Sequence, residues 1–330
     1  MKEIVVDIRT LFHRAIEQFG SETGALEFLP ENRYNKTMFP TTGQYDWFSG
    51  QLLYCLIRYL KPDKILEMST ASGYSAMFMA IALKKNGQGK LDTYELDAKA
   101  ANAATTLFKQ HQLVEFVNLH VGDARKLSKP GPLDYDIYFL DSLHTETFAR
   151  WFIETHVIPT NRKNALFHMH DILPRHARVR CWNAPPVEGT PLDPNSRLSW
   201  NQKLKRAMRA LINPKQDQDD EQIPIRVYPP AETGVQTYDG NCTTEAILGN
   251  DLAALMKPED YVFLCDIAND YPQLSPRKYD SCAIGRTDCN NVPMEWNESW
   301  WCKVTALKAA YHFLRLRNHQ VLESSNMPHP

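Results

Sequence analysis

The sequence predicts an α/β fold built on a doubly wound parallel sheet, and three observations predict it. Strands and helices alternate between residues 64 and 169, the order that builds parallel sheets through helical crossovers. The stretch Lys64–Ser75 reads as strand, small-residue turn and helix, the unit with which open α/β sheets form ligand sites. Tyr135–Leu140 is nearly continuous in apolar residues, as a strand covered on both faces should be.

Residues 1–60 read as an N-terminal accessory segment. Ile4–Ile8 fits a short strand or a helix start, and Gly20, Gly24, Pro30, Pro40 and Gly43 then interrupt the pattern. Phe48, Leu52, Cys55, Leu56 and Tyr59 fall at helical spacing and predict a helix to Leu60. Residues 61–330 form the main domain. Its first strand, 64–68, precedes a helix over 74–85. A second strand, 91–96, leads to Asp97, a good N-cap for a helix over 98–110. Strands follow over 116–121, 135–140 and 165–169, with a helix over 145–157 between the last two.

After Asp171 the rhythm stops. Residues 172–241 are rich in proline and polar groups, with one predicted helix at 200–212. They read as a lid-like insertion over the ligand edge or as a surface loop. The basic residues Lys203, Lys205, Arg206 and Arg209 form a solvated face or a contact for an anionic substrate. A helix over 243–256, strands over 260–265 and 300–304, and a helix over 306–317 close the chain, with a polar, frayed tail after Asn318.

Composition narrows the function classes. A net charge of −2 argues against general nucleic-acid binding. Seven cysteines, an odd number with no C-x-x-C, suggest reduced thiols in a cytoplasmic protein. The charged N-terminus (Lys2, Glu3, Asp7, Arg9) is no signal peptide, and no apolar run is long enough to span a membrane.

Candidate chemistry gathers at the carboxyl ends of the predicted strands. Glu67, Glu95, Asp123, Asp141 and the pair His170-Asp171 follow strands one to five, and this topology brings those ends to one edge. An acid after the second strand suits the two hydroxyls of a ribose. Each alone also fits a helix cap or a solvated loop end.

The series resembles the class I S-adenosylmethionine-dependent methyltransferases. The matching stretches are Leu66-Glu67-x-Ser69-x-x-x-Gly73-Tyr74-Ser75, Tyr94-Glu95-Leu96-Asp97, Val121-Gly122-Asp123-Ala124 and Phe139-Leu140-Asp141-Ser142-Leu143-His144. Within that superfamily the chain is most similar to the bacterial small-molecule and glycan type with a His-Asp-Ile signature after the fifth strand, here His170-Asp171-Ile172. The resemblance resumes at Thr244-Glu245 and at Asn297–Trp301. It implies a mostly parallel, seven-stranded, Rossmann-like sheet. It also implies that Glu67, Ser69, Ala71, Gly73 and Ser75 hold the amino-acid end of the cofactor and Glu95 its ribose. Asp123 and Ala124 would flank the adenine, and Asp141 would lie beside the sulfonium methyl. His144, with Asp141, would be catalytic, the histidine as general base for O-methylation. A metal set of Asp141, His170 and Asp171 is implied by related sugar methyltransferases. His170 standing where an acid is usual leaves magnesium, another divalent metal or none.

The acceptor implied is a small molecule or saccharide, and residues 1–60 offer a contact for a homo-oligomer. A non-catalytic module that keeps the fold is the alternative, because Ser69 and Ala71 stand where glycine is usual. A nicotinamide oxidoreductase ranks last, since no G-x-G-x-x-G follows the first strand. His168 reads as a core histidine. Tyr45, Trp47 and Trp151 read as core or interface aromatics, with stacking on a substrate ring as the alternative. Asn183–Pro186 stands in the wrong place for an amino-methylating motif.

Overall fold

The computed structural model describes residues 7–26, 45, 47–129, 134–170, 172, 244–268, 270–271, 274 and 299–325. Seven strands form one sheet: β1 (Lys64–Met68), β2 (Lys90–Glu95), β3 (Val117–Val121), β4 (Ile137–Leu140), β5 (Leu166–Met169), β6 (Tyr261–Phe263) and β7 (Trp300–Lys303). Their order is β3-β2-β1-β4-β5-β7-β6. The pairs among β1 to β5 are parallel, and β7 runs antiparallel to both β5 and β6. This is the mostly parallel, seven-stranded, Rossmann-like sheet that the motifs imply.

The helices are α1 (Ile8–Phe19), α2 (Trp47–Leu60), α3 (Tyr74–Asn86), α4 (Ala98–Gln110), α5 (Ala124–Leu127), α6 (Glu146–Phe152), α7 (Thr244–Ala253), α8 (Leu264–Ala268) and α9 (Val304–Ser325). Helices α1 to α4 bury their apolar sides on one face of the sheet, with Ile65, Phe139 and Trp301. Helices α6, α7 and α9 cover the other, with Leu66, Tyr138, Leu140 and Trp300. Adjacent strand residues thus enter opposite cores, as the period of two demands.

The N-terminal helices belong to the first of these cores. Asp7 caps α1 by accepting from Thr10 N at 2.7 Å. Phe12 meets Trp301 edge-on, with ring centroids 5.7 Å apart. Arg58 on α2 grips Glu22 with Nε and Nη2 at 2.9 and 3.0 Å, and Tyr54 donates to the same carboxylate.

Several expected boundaries move. The strand expected over 260–265 ends at Phe263, because its partner β7 begins at Trp300 and the ladder stops there. Leu264 N then donates to Ser299 O, and the chain turns into α8. The helix expected over 145–157 is α-helical only to Phe152. A π-turn over Ile153–Val157 follows, and Ile153, His156 and Val157 are all buried there. The closing helix starts at Val304, whose N–H donates to Ala165 O, and runs to Ser325 rather than fraying after Asn318. No glycine or proline lies between Val304 and Ser325 to stop it. The insertion over 172–241, except Ile172, and its expected helix at 200–212 lie outside the described residues. Among the described residues no helix is long and apolar enough to cross a membrane.

One buried carboxylate sets the sheet's centre. Asp136, just before β4, accepts from Asp63 N at 2.7 Å and Lys64 N at 3.1 Å, tying the starts of β1 and β4 together. Arg162 stands 3.5 Å away on the other oxygen. Asp136→Ala removes the acceptor of both part-buried amides and should lower unfolding stability by about 1–3 kcal/mol. Urea denaturation measures this, and a loss well under 1 kcal/mol would show that the amides find other partners.

Candidate functional site

Register places the strand ends side by side. Met68 pairs with Tyr94 and with Leu140, and Leu140 pairs with Met169. Glu67, Glu95, Asp141 and His170 therefore emerge at one edge. On the β3 side Gly122 N donates to Glu95 O at 2.7 Å, which brings Asp123 to the same edge. The convergence expected from the strand pattern is a consequence of flush parallel pairing.

The loop after β1 is unusual in its backbone. Ser69, Ala71 and Gly73 have φ of 72°, 47° and 92°. Every second residue is thus left-handed, a conformation that costs a residue with a Cβ about 1–2 kcal/mol. Gly73 needs its missing side chain twice over, since a Cβ there would come within 3.0 Å of Ala104 Cβ. Ser69 N and Thr70 N both donate to Tyr94 O, at 3.0 and 2.9 Å. Ala71 N donates to Glu95 Oε2 at 2.6 Å, and Asp97 N to Glu95 Oε1 at 2.8 Å. Glu95 therefore holds the loop and the start of α4 at once.

Beneath the loop lies a polar knot. Glu67 is fully buried; it accepts from Ser75 Oγ and Thr93 Oγ1, both at 2.5 Å. Thr70 Oγ1 stands 2.5 Å from Thr93 Oγ1. Burial pushes the Glu67 carboxyl up to about 8, and the negative charges of Asp141 and Glu95 push it the same way. Hydrogen bonds from Ser75 and Thr93 oppose the rise without cancelling it. Asp123 is different. Its side chain caps α5 through Arg125 N, and hydrogen bonding to the Arg125 side chain holds its carboxyl below the usual range. Ala124 opens that helix.

At the β4 and β5 ends two imidazole–carboxylate pairs appear. His170 Nδ1 lies 3.4 Å from Asp141 Oδ1, and both side chains are largely buried. His144 Nδ1 lies 2.8 Å from Glu245 Oε2. The His144 side chain is 32% exposed and that of Glu245 1%, so the imidazole reaches solvent while its partner does not. The expected metal set of Asp141, His170 and Asp171 is not assembled among the described residues. Asp171 lies outside them, and no group of three His, Cys, Asp or Glu among them could hold an ion.

His168 is a core residue. It stacks on Phe139 at 4.0 Å and meets the Tyr45 hydroxyl through Nε2 at 3.2 Å. Tyr45 is itself buried, with its ring centroid 4.8 Å from that of His170. Three residues of this site escaped the sequence reading. Thr70 and Thr93 carry no motif, although Thr93 shares a strand face with Glu95. Glu245 was noted only as the point where the resemblance resumes. It sits 101 residues beyond His144, too far for any local pattern to pair them.

A family model for methyltransferase domains matches residues 66–172, the span from β1 through β5. A catechol O-methyltransferase of Niastella koreensis is 34% identical over 97 residues, 28% of this chain and 43% of that protein. A caffeoyl-CoA O-methyltransferase of Stellaria longipes is 30% identical over 100 residues, 28% of this chain and 41% of that protein. The chain thus spans less than half the length of these relatives. Among solved structures, an O-methyltransferase from Bacillus cereus with bound S-adenosylhomocysteine overlays with a TM-score of 0.36 at 20% identity. The overlay covers 48% of this chain and 72% of that one.

Two outcomes follow from the loop. Ala71→Gly relieves a left-handed alanine, and glycine's looser unfolded chain offsets part of the gain. The thermal midpoint should rise with a net stabilisation of up to about 1 kcal/mol; a fall would mean that the alanine methyl contributes more through packing than its φ costs. Glu67 stays protonated in the folded state while its unfolded counterpart ionises above the ordinary value of 4.5. The folded chain therefore binds more protons between about pH 4.5 and about 8, and Glu67 lowers stability as pH rises through that window. Glu67→Gln should flatten the stability–pH slope there, as read by urea denaturation across the range. An unchanged slope would show that the carboxyl titrates normally.

Proposed function

We propose that the chain transfers a methyl group from S-adenosylmethionine to a hydroxyl of a small molecule or saccharide. The observation that carries this reading is the left-handed loop Ser69–Gly73, closed on two acids of different kinds. Glu95 is fixed by two backbone amides, and Glu67 is buried beneath. The match of the methyltransferase-domain model to residues 66–172 supports the reading. So does the O-methyltransferase character of the relatives from Niastella and Stellaria.

The residues suit the cofactor. A loop of small side chains lets a ligand approach the backbone, and α3 begins directly behind it. Each Glu95 oxygen accepts one amide and keeps a second lone pair, enough for two ribose hydroxyls. Glu67, with Ser75 and Thr93, supports the loop that holds the amino-acid end. Asp123 and Ala124 stand at the adenine side, and Asp141 adds negative charge where the sulfonium would lie.

When bound, S-adenosylmethionine supplies an electrophilic methyl whose bonding electrons leave with the sulfur as the new O–CH3 bond forms. The chain's part is to free the acceptor oxygen of its proton. His144 takes that proton from the O–H group, and a histidine is suited to this near neutral pH. The carboxylates Glu95 and Asp141 favour a cationic ligand over a neutral one.

Titration calorimetry with S-adenosylmethionine, followed by mass spectrometry of an acceptor panel, tests the reading. A product heavier by one methyl group is expected, and no cofactor binding at millimolar concentration would remove it. His144→Ala should lower turnover by about 10²–10⁴-fold while cofactor affinity changes less than about threefold. Full turnover in that variant would exclude His144 as the base.

A further inference from the structure

We infer that Glu245 is the positioning residue of the general base: it fixes His144 in the tautomer that presents Nε2 to the acceptor and steadies the imidazolium that forms. The inference rests on the reading of His144 as that base. It deepens it with a residue that lies on no strand end.

The geometry is specific. Glu245 Oε2 lies 2.8 Å from His144 Nδ1. With Glu245 ionised the carboxylate only accepts, which assigns the hydrogen to Nδ1 and the basic lone pair to Nε2. When Nε2 takes the acceptor's proton, the imidazole becomes a cation hydrogen-bonded to a buried anion, and charge and hydrogen bond reinforce each other. The Glu245 side chain is 1% exposed, so water screens the pair only from the His144 side. The proton path is complete: it leaves the acceptor O–H, ends on His144 Nε2, and passes to solvent after the methyl has moved.

The fold holds Glu245 in place from several sides. It lies in the first turn of α7, where the chain returns after residues 172–241. Leu248 and Leu252 bury that helix in the core beneath α6. Gly249 meets Ile172 so closely that a Cβ there would stand 3.1 Å from two Ile172 carbons. The helix is thus seated on Ile172, three residues past the end of β5. His144 is delivered from the opposite side, directly before Thr145, the cap of α6. The pair joins two elements that nothing in the sequence connects.

The test uses the full chain and reads the imidazole directly. Nitrogen-15 spectra of His144 in the parent should show the Nδ1–H tautomer. In Glu245→Gln the tautomer preference should weaken and the His144 titration should move to lower pH. With an acceptor from the panel, Glu245→Gln should lose about 10–100-fold in kcat, with KM for acceptor and affinity for S-adenosylmethionine little changed. The acid limb of the kcat–pH profile should shift with the titration, and Glu245→Asp should recover part of the rate. Gly249→Ala, which disturbs the seat of α7 without touching the pair, should reproduce a smaller version of both effects. A His144 tautomer and titration identical in parent and Glu245→Gln would overturn the inference. If the spectra move as expected but the parent methylates no hydroxyl, the reading of the reaction fails while the positioning of His144 stands.

Discussion

The carboxylate of Glu95 is the contact on which the site depends. It accepts from Ala71 N and Asp97 N, and so fastens the loop after β1 to the start of α4 across the strand boundary. That anchor holds the left-handed alanine directly. Backbone strain of this kind persists where the surroundings over-determine it. Here Tyr94 O receives two amides from the same loop, and Thr70 reaches Thr93 beneath it. The usual glycines are absent, yet the backbone adopts the path that glycines would favour.

Around that anchor the site is a set of acids with unequal environments. Glu67 is sealed under the loop and holds its proton. Asp123 stands nearer water, bound by Arg125 and readily ionised. Burial and neighbouring charge, not residue type, separate the two. An edge that carries carboxyl groups in such different settings suits a ligand with a cationic centre flanked by hydroxyls. The same edge carries the two imidazole–carboxylate pairs, one largely buried at His170 and one open to solvent at His144.

Much was legible in the sequence because it is written locally. Strand, turn and helix between 64 and 169 follow from periodicity and caps, and Asp97, Asp123 and Gly73 occupy the turns their chemistry favours. The acids at the strand ends were readable for the same reason: parallel strands of similar length end together. The boundaries that moved did so for non-local reasons. β6 stops at Phe263 because β7 begins opposite it, and α9 opens at Val304 because Ala165 O accepts its amide.

The sequence by itself determined the alternating architecture, the face each strand residue enters and the row of acids and histidines at one edge, since each depends on neighbours a few residues away. Tertiary structure alone decided which of those groups meet. Register set Asp141 beside His170, with Nδ1 3.4 Å from Oδ1. The return of α7 after residues 172–241 brought Glu245 to His144, a pairing of groups 101 residues apart that no spacing rule encodes. Chain periodicity acts over one or two turns, whereas a hydrogen bond between distant segments is settled by how the elements that carry them pack. The loop of Ser69–Gly73 shows both at once: its small residues were plain to read, and its left-handed path was decided by the glutamate that waits for it on the next strand.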